Sequence, residues 1–216
     1  MAKNSKWQDE YWLLLMQLYL QKPTGIKPMY SKALVDLSLE LHIAPQQLFN
    51  KMCQIANLET PRIEHIWEVY GQNPRKLKRA VNLLREMWGF NNALEFYEGV
   101  ETIESFEKEF KPIADDTTLT PMMLVLILDE YFRLTPITMV PETPEVQALA
   151  KMMRLKPQEV VDVMEAFQHC DPYLNRKDEM KGNLVLACQQ VWRRFGNSEP
   201  QELASYAEQL KDYFEN

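Results

Sequence analysis

Apolar residues recur along this chain every three or four positions rather than every two, the period of helices. Within 9–21, Trp12, Leu15, Leu18 and Tyr19 share one stripe, and Pro23-Thr24-Gly25 stops the run. Ser31 stands as the N-cap of a helix over 32–41 with Leu34, Leu37 and Leu41 inward. His42-Ile43-Ala44 is a short turn. Pro45 then opens a helix to about Ala56, where its missing N–H costs nothing, and Leu48, Met52 and Ile55 form the buried face. A short helix over 62–70 carries Ile63, Ile66, Trp67 and Tyr70, and Asn73-Pro74 starts another that ends at Gly89. Residues 92–110 read as an acidic helix with Val100, Ile103, Phe106 and Phe110 as its apolar stripe, followed by a loop over 112–118.

The second half follows the same plan. It has a helix over 120–134, a Pro-rich loop, Thr143-Pro144 capping a helix to about Met153, and Pro157 opening another to Gln168. A helix over 183–195 turns Leu184, Ala187, Val191 and Phe195 inward and stops at Gly196. Ser198 caps a last helix carrying Leu203, Tyr206, Leu210 and Tyr213. No alternating pattern marks a strand. The Val-rich stretch 160–163 keeps a helical period through Glu159, Asp162 and Glu165.

A shift of 112 residues brings about fifty positions of the two halves into register. Leu14 meets Leu126, Tyr19 meets Tyr131, Ser31 meets Thr143, Leu37 meets Leu149, Pro45 meets Pro157, Gln46 meets Gln158 and Met52 meets Met164. The expected fold is therefore all-α. Two tandemly repeated multi-helix units, each a helix, a Pro-rich loop, a helix-turn-helix-like pair and a further helix, pack into one body. The first repeat spans 1–90, an acidic connecting helix and loop spans 91–117, and the second repeat spans 118–216.

At 216 residues with 46% hydrophobic and 25% charged content, the chain is long enough for a sizeable core. The net charge of −7 is unevenly spread. Residues 1–90 hold 12 Lys and Arg against 8 Asp and Glu, a net +4, whereas residues 91–216 hold 12 against 23, a net −11. An acidic protein is a poor general binder of nucleic acid, but its basic half is a separate case. Cys53, Cys170 and Cys188 are widely spaced, with no zinc pattern, and are expected as buried thiols in a reducing cytoplasm. The early apolar run lacks the flanks of a signal peptide, and Met122–Leu128 is too short to span a bilayer, so no membrane association is expected.

Candidate chemistry concentrates in the first half. Helices 32–41 and 45–56 with their three-residue turn form a helix-turn-helix-like pair, whose second helix can enter a DNA major groove. Its outward residues are Gln46, Gln47, Asn50, Lys51, Gln54 and Asn57. Amides can pair with adenine and lysine with guanine or phosphate, which makes Gln47, Asn50, Lys51 and Gln54 the base-reading candidates. On helix 74–88, Arg75, Lys78, Arg79, Asn82 and Arg85 share one stripe, with Leu77, Val81, Leu84 and Trp88 opposite. Arg75, Lys78, Arg79 and Arg85 are the phosphate candidates. The corresponding second-half helix offers Gln158, Glu159, Asp162, Glu165 and His169, which phosphate would repel. Amide-rich and basic faces also serve as solvated surface or as protein docking sites, and those uses are the commoner ones.

No nucleophile elbow, P-loop, GxGxxG turn or HExxH motif occurs, and no cofactor or metal is expected. Glu95, Glu98, Glu101, Glu104 and Glu107 recur every three residues and so smear around a helix rather than converge on a metal.

The run Trp7-Gln8-Asp9-Glu10, Leu14, Leu18-Tyr19, Pro23, Gly25, Leu37, Pro45, Leu48, Lys51-Met52 and Leu58 resembles a small helical module. That module precedes the HNH nuclease domain of some bacterial restriction-type endonucleases. The resemblance covers residues 7–61 and implies a DNA-associated role without nuclease activity, since His42, His65 and His169 make no HNH arrangement. The whole chain also resembles a bacterial all-helical family, a likeness that adds nothing on function. The leading expectation is a non-enzymatic interaction or adaptor protein whose partner is another protein. The second is a regulator that binds double-stranded DNA through residues 45–57 and 74–88. An enzyme with an unrecognised site is the third.

Overall fold

Seven of the ten α-helices described begin on a proline, so much of the fold is punctuated by one residue type at the first helical position. The computed structural model describes residues 7–87, 106–115, 117–174 and 180–215. These residues form two units, 7–87 in one and 106–214 in the other, with no strand in either.

The first unit contains α1 (Tyr11–Leu20), α2 (Lys32–Leu41), α3 (Pro45–Asn57), α4 (Pro61–Tyr70) and α5 (Pro74–Glu86). Helix α1 touches α3, α4 and α5, while α2 packs on α3 and α4 on α5. A helix contacted on several sides must be apolar around most of its circumference. That is why the α1 sequence YWLLLMQLYL buries Trp12, Leu14, Leu15, Met16 and Leu18. Thr60 Oγ1 accepts a hydrogen bond from the Ile63 N–H (3.3 Å), and Asn73 Oδ1 accepts one from Lys76 (3.1 Å), so both side chains answer otherwise unpaired N–H groups. Ser31 precedes α2 but makes no capping bond, and its hydroxyl is buried without a partner.

The second unit contains α6 (Pro121–Arg133), α7 (Pro144–Met153), α8 (Pro157–Cys170), α9 (Asn183–Phe195) and α10 (Pro200–Lys211). Two 3-10 turns join them, Phe106–Phe110 and Pro136–Thr138. Helix α6 is the centre of this unit, in contact with the other four helices and with Phe106–Phe110. It buries eight residues, including Asp129, whose carboxylate meets Arg133 at 2.7 Å. Tyr131 donates to Asp171 at 3.0 Å and lies in a ring cluster with Phe132, Phe167 and Trp192.

Three sequence expectations are corrected. The buried face of α9 is Val185, Cys188, Val191 and Trp192, so of the expected stripe Val191 is buried while Leu184, Ala187 and Phe195 are half-buried. The two stripes lie side by side on the helix, and the large Trp192 ring sets the phase. Ser198 does not cap α10. Its hydroxyl donates back to the Arg194 carbonyl, and Glu199 takes the cap position before Pro200. Of the cysteines only Cys188 is fully buried, with Cys53 and Cys170 half-buried. The expected helix over 92–110 lies outside the described residues as far as 105. Its remainder, Phe106–Phe110, is a 3-10 turn.

No helix among the described residues is long and apolar enough to cross a membrane.

Candidate functional site

The turn between α2 and α3 fixes the outward face of α3. His42 takes a left-handed conformation (φ 55°), and the Ile43 N–H returns to the Ser38 carbonyl at 3.1 Å. This arrangement ends a helix abruptly and usually uses glycine. It leaves Ile43 buried and sends the chain straight into Pro45. Leu48, Met52 and Ile55 then face the core, so Gln46, Gln47, Asn50 and Asn57 are exposed. Gln46 donates to Asn50 Oδ1 at 3.2 Å, and Asn57 donates to Glu59 at 3.3 Å.

Gln54 and Lys51 are half-buried rather than outward. Lys51 is three residues from Leu48 and four from Ile55, so its Cβ sits at the edge of the core-facing side. Its ammonium lies 5.3 Å from the Trp7 ring centre and 5.1 Å from that of Trp12. Those two indoles meet edge to face with centroids 4.8 Å apart. A cation over two aromatic faces is held electrostatically while its stem packs on them.

Trp7, Ile43, Gln47, Asn50 and Lys51 line a groove of about 210 Å³. In the same unit, Trp12, Met16, Ile55, Ile63 and Ile66 close together with no space for a water molecule. The indole N–H of Trp7 is buried without an acceptor. Among the described residues, Lys51 is the one titratable group on the groove wall.

On α5 the expected division into two faces holds over the described residues. Leu77, Val81 and Leu84 are buried, and Arg75, Lys78, Arg79 and Asn82 are exposed. Trp88 lies outside the described residues. Arg85 is tied down, its guanidinium holding the Glu40 carboxylate of α2 in a two-pronged bond of 2.6 and 2.8 Å. Arg75, Lys78 and Arg79 make no ion pair among the described residues. Lys76 lies over the Tyr70 ring at 5.2 Å.

Helix α8 of the second unit has a different surface. Gln158 donates to Asp162 at 2.8 Å, and Glu159 accepts from the Lys156 N–H at 2.8 Å. Val163 stands 112 positions after Lys51 and is fully buried. Elsewhere in that unit Arg194 bonds Glu109, and the Tyr206 hydroxyl donates to the same carboxylate at 2.8 Å. This link ties the Phe106–Phe110 turn to α9 and α10, and it is not legible in the sequence because 85 and 97 residues separate the partners. Among the described residues no three His, Cys, Asp or Glu side chains converge as metal ligands would. Burial pushes the Cys170 thiol up to about 11, and it raises Cys188 further, with Cys170 adding to that rise.

No protein-family model, curated protein or solved structure matches the chain. The likeness of residues 7–61 to the HNH-associated module therefore rests on its own residues.

Proposed function

We propose that this chain is a non-enzymatic interaction protein that docks a partner protein on the α3 face of its first unit. The groove lined by Trp7, Ile43, Gln47, Asn50 and Lys51 carries this reading. Its aromatic, amide and aliphatic walls are the make-up of a protein-contact patch. Its volume of about 210 Å³ accepts one or two side chains and falls below the usual range of a small-molecule pocket.

Double-stranded DNA is the less favoured partner on charge. Arg85 is neutralised by Glu40, so Lys51, Arg75, Lys78 and Arg79 remain of the expected cationic contacts. Four phosphate contacts correspond to a salt slope of about −3.6 in log affinity, short of a strong duplex binder.

The reading extends to the origin of the surface: the two units are copies that diverged in charge. Support comes from helix bounds, since α2 and α7 span Lys32–Leu41 and Pro144–Met153, and α3 and α8 begin at Pro45 and Pro157. It also comes from the left-handed His42 and Arg154, which end α2 and α7 112 positions apart. Buried Leu34, Leu37, Leu48 and Met52 have buried Val146, Leu149, Val160 and Met164 at the same offset.

The test places a photo-crosslinking residue at Gln47 and, as a control, at Gln158. A discrete protein adduct is expected from position 47 and none from 158. Asn50→Asp, which installs the residue type found at Asp162, should abolish it. A labelled duplex should stay unbound at low salt. Duplex binding with a slope of about −3.6 that Arg79→Ala reduces by about one would overturn protein docking in favour of DNA.

A further inference from the structure

Hydrogen-bond donors outnumber acceptors on the wall of the α3 groove. Lys51 contributes an ammonium with three N–H groups, and no carboxylate meets it among the described residues. The Asn50 oxygen accepts from Gln46, and its NH₂ remains a donor. Gln47 supplies a further amide, and the Trp7 indole N–H is a buried donor with no acceptor. With Lys51, Asn50 and Gln47 supplying N–H groups, the wall offers more donors than acceptors. Ile43 and the Trp7 ring supply apolar surface beside these donors. The half of the chain that carries the groove is net basic, so its field draws acidic partners.

We infer that the groove takes an acidic peptide segment of the partner protein, with an Asp or Glu carboxylate on Lys51 and Asn50 and an adjacent apolar side chain against Ile43 and Trp7. This rests on the docking reading above and names the chemistry of its partner. Both halves of the pattern are needed. A carboxylate alone on an exposed lysine gains little in water, whereas one held beside an apolar anchor forms its charged bond partly out of solvent. The second unit lacks the pattern, because Val163, Glu159 and Asp162 stand where Lys51, Gln47 and Asn50 do in the first.

A library of randomised ten-residue peptides displayed on phage, selected on the full chain, tests this. The enriched peptides should carry Asp or Glu next to Leu, Ile, Met or Phe. One of them, synthesised, should shift the Trp7 indole N–H signal in a ¹H–¹⁵N spectrum. Changing its acid to the amide should weaken binding about tenfold, as should Lys51→Met, which keeps the stem on the indoles. Lys51→Arg should keep most of the affinity, which separates loss of charge from loss of fold. Enriched peptides with no acidic preference that still shift Trp7 would overturn the carboxylate chemistry and leave docking standing. Absence of any peptide that shifts Trp7 or Gln47 would overturn both.

Discussion

Removing either member of the Glu40–Arg85 pair should destabilise the first unit by about 1 kcal/mol, and removing both should cost less than the sum. The size follows from geometry. Two unit charges about 4 Å apart attract by about 1 kcal/mol in water and about 4 kcal/mol at an effective dielectric of 20. The Glu40 and Arg85 side chains are 24% and 44% exposed, so solvent screens much of that attraction. Exposed pairs usually measure about 0.2–1 kcal/mol, and the two-pronged contact puts this one at the upper end. The assay is a double-mutant cycle of Glu40→Gln and Arg85→Met, read by native-state hydrogen exchange of the α2 and α5 amides so that the first unit reports by itself. A coupling near 1 kcal/mol that shrinks in 1 M salt is expected, since the Debye length there is about 3 Å. A coupling within about 0.3 kcal/mol of zero would refute the assignment of Arg85 to a structural bond. In that case Arg85 would be a free cation, and the charge argument against DNA would weaken.

Three further outcomes are expected. His42→Gly and Arg154→Gly should each stabilise their own unit by about 0.5–1 kcal/mol in urea denaturation, because both residues hold a left-handed φ (55° and 59°) that suits glycine. Burial holds the Glu130 carboxyl above its ordinary value of 4.5, with Asp129 and Glu145 adding to the rise and Arg133 and Lys211 opposing it. The folded second unit therefore binds this proton more tightly than the unfolded chain. Its stability should fall as pH rises through the region just above 4.5, and Glu130→Gln should flatten that slope in pH-dependent melts. For the thiols, alkylation of the native protein at pH 8 followed by peptide mass spectrometry should label Cys188 last, because it is buried and its thiol is pushed up most, and Cys170, held at about 11, should react slowly.

Helix starts were the most legible part of the fold. Pro45, Pro74, Pro144 and Pro157 open helices where the sequence places them, since each follows a turn and precedes a run of helical period. Pro61, Pro121 and Pro200 do the same, although the sequence pattern set those starts one residue away or on Ser198. The phase of α9 was not legible. Its apolar residues fill two adjacent stripes, and only the packing of Trp192 against Tyr131 and Phe132 chooses between them.

On α3 the pattern located the face but not the state of its cation. Residue type puts Lys51 in solvent, whereas its register beside Leu48 and Ile55 puts the stem on Trp7 and Trp12. Arg85 shows the same limit. Helical spacing groups it with Arg75, Lys78 and Arg79, but its partner Glu40 lies 45 residues away and is brought near only by tertiary packing.

The most direct measurement is a ¹H–¹⁵N spectrum of the full chain titrated in parallel with a selected acidic peptide and with a 20-base-pair duplex at low salt. The peptide should move the Trp7 indole and the Gln47, Asn50 and Lys51 amides while leaving Gln158 and Asp162 unmoved, and the duplex should move none of them. Duplex-induced shifts running together through Gln47, Gln54, Arg75 and Arg79 would contradict the account.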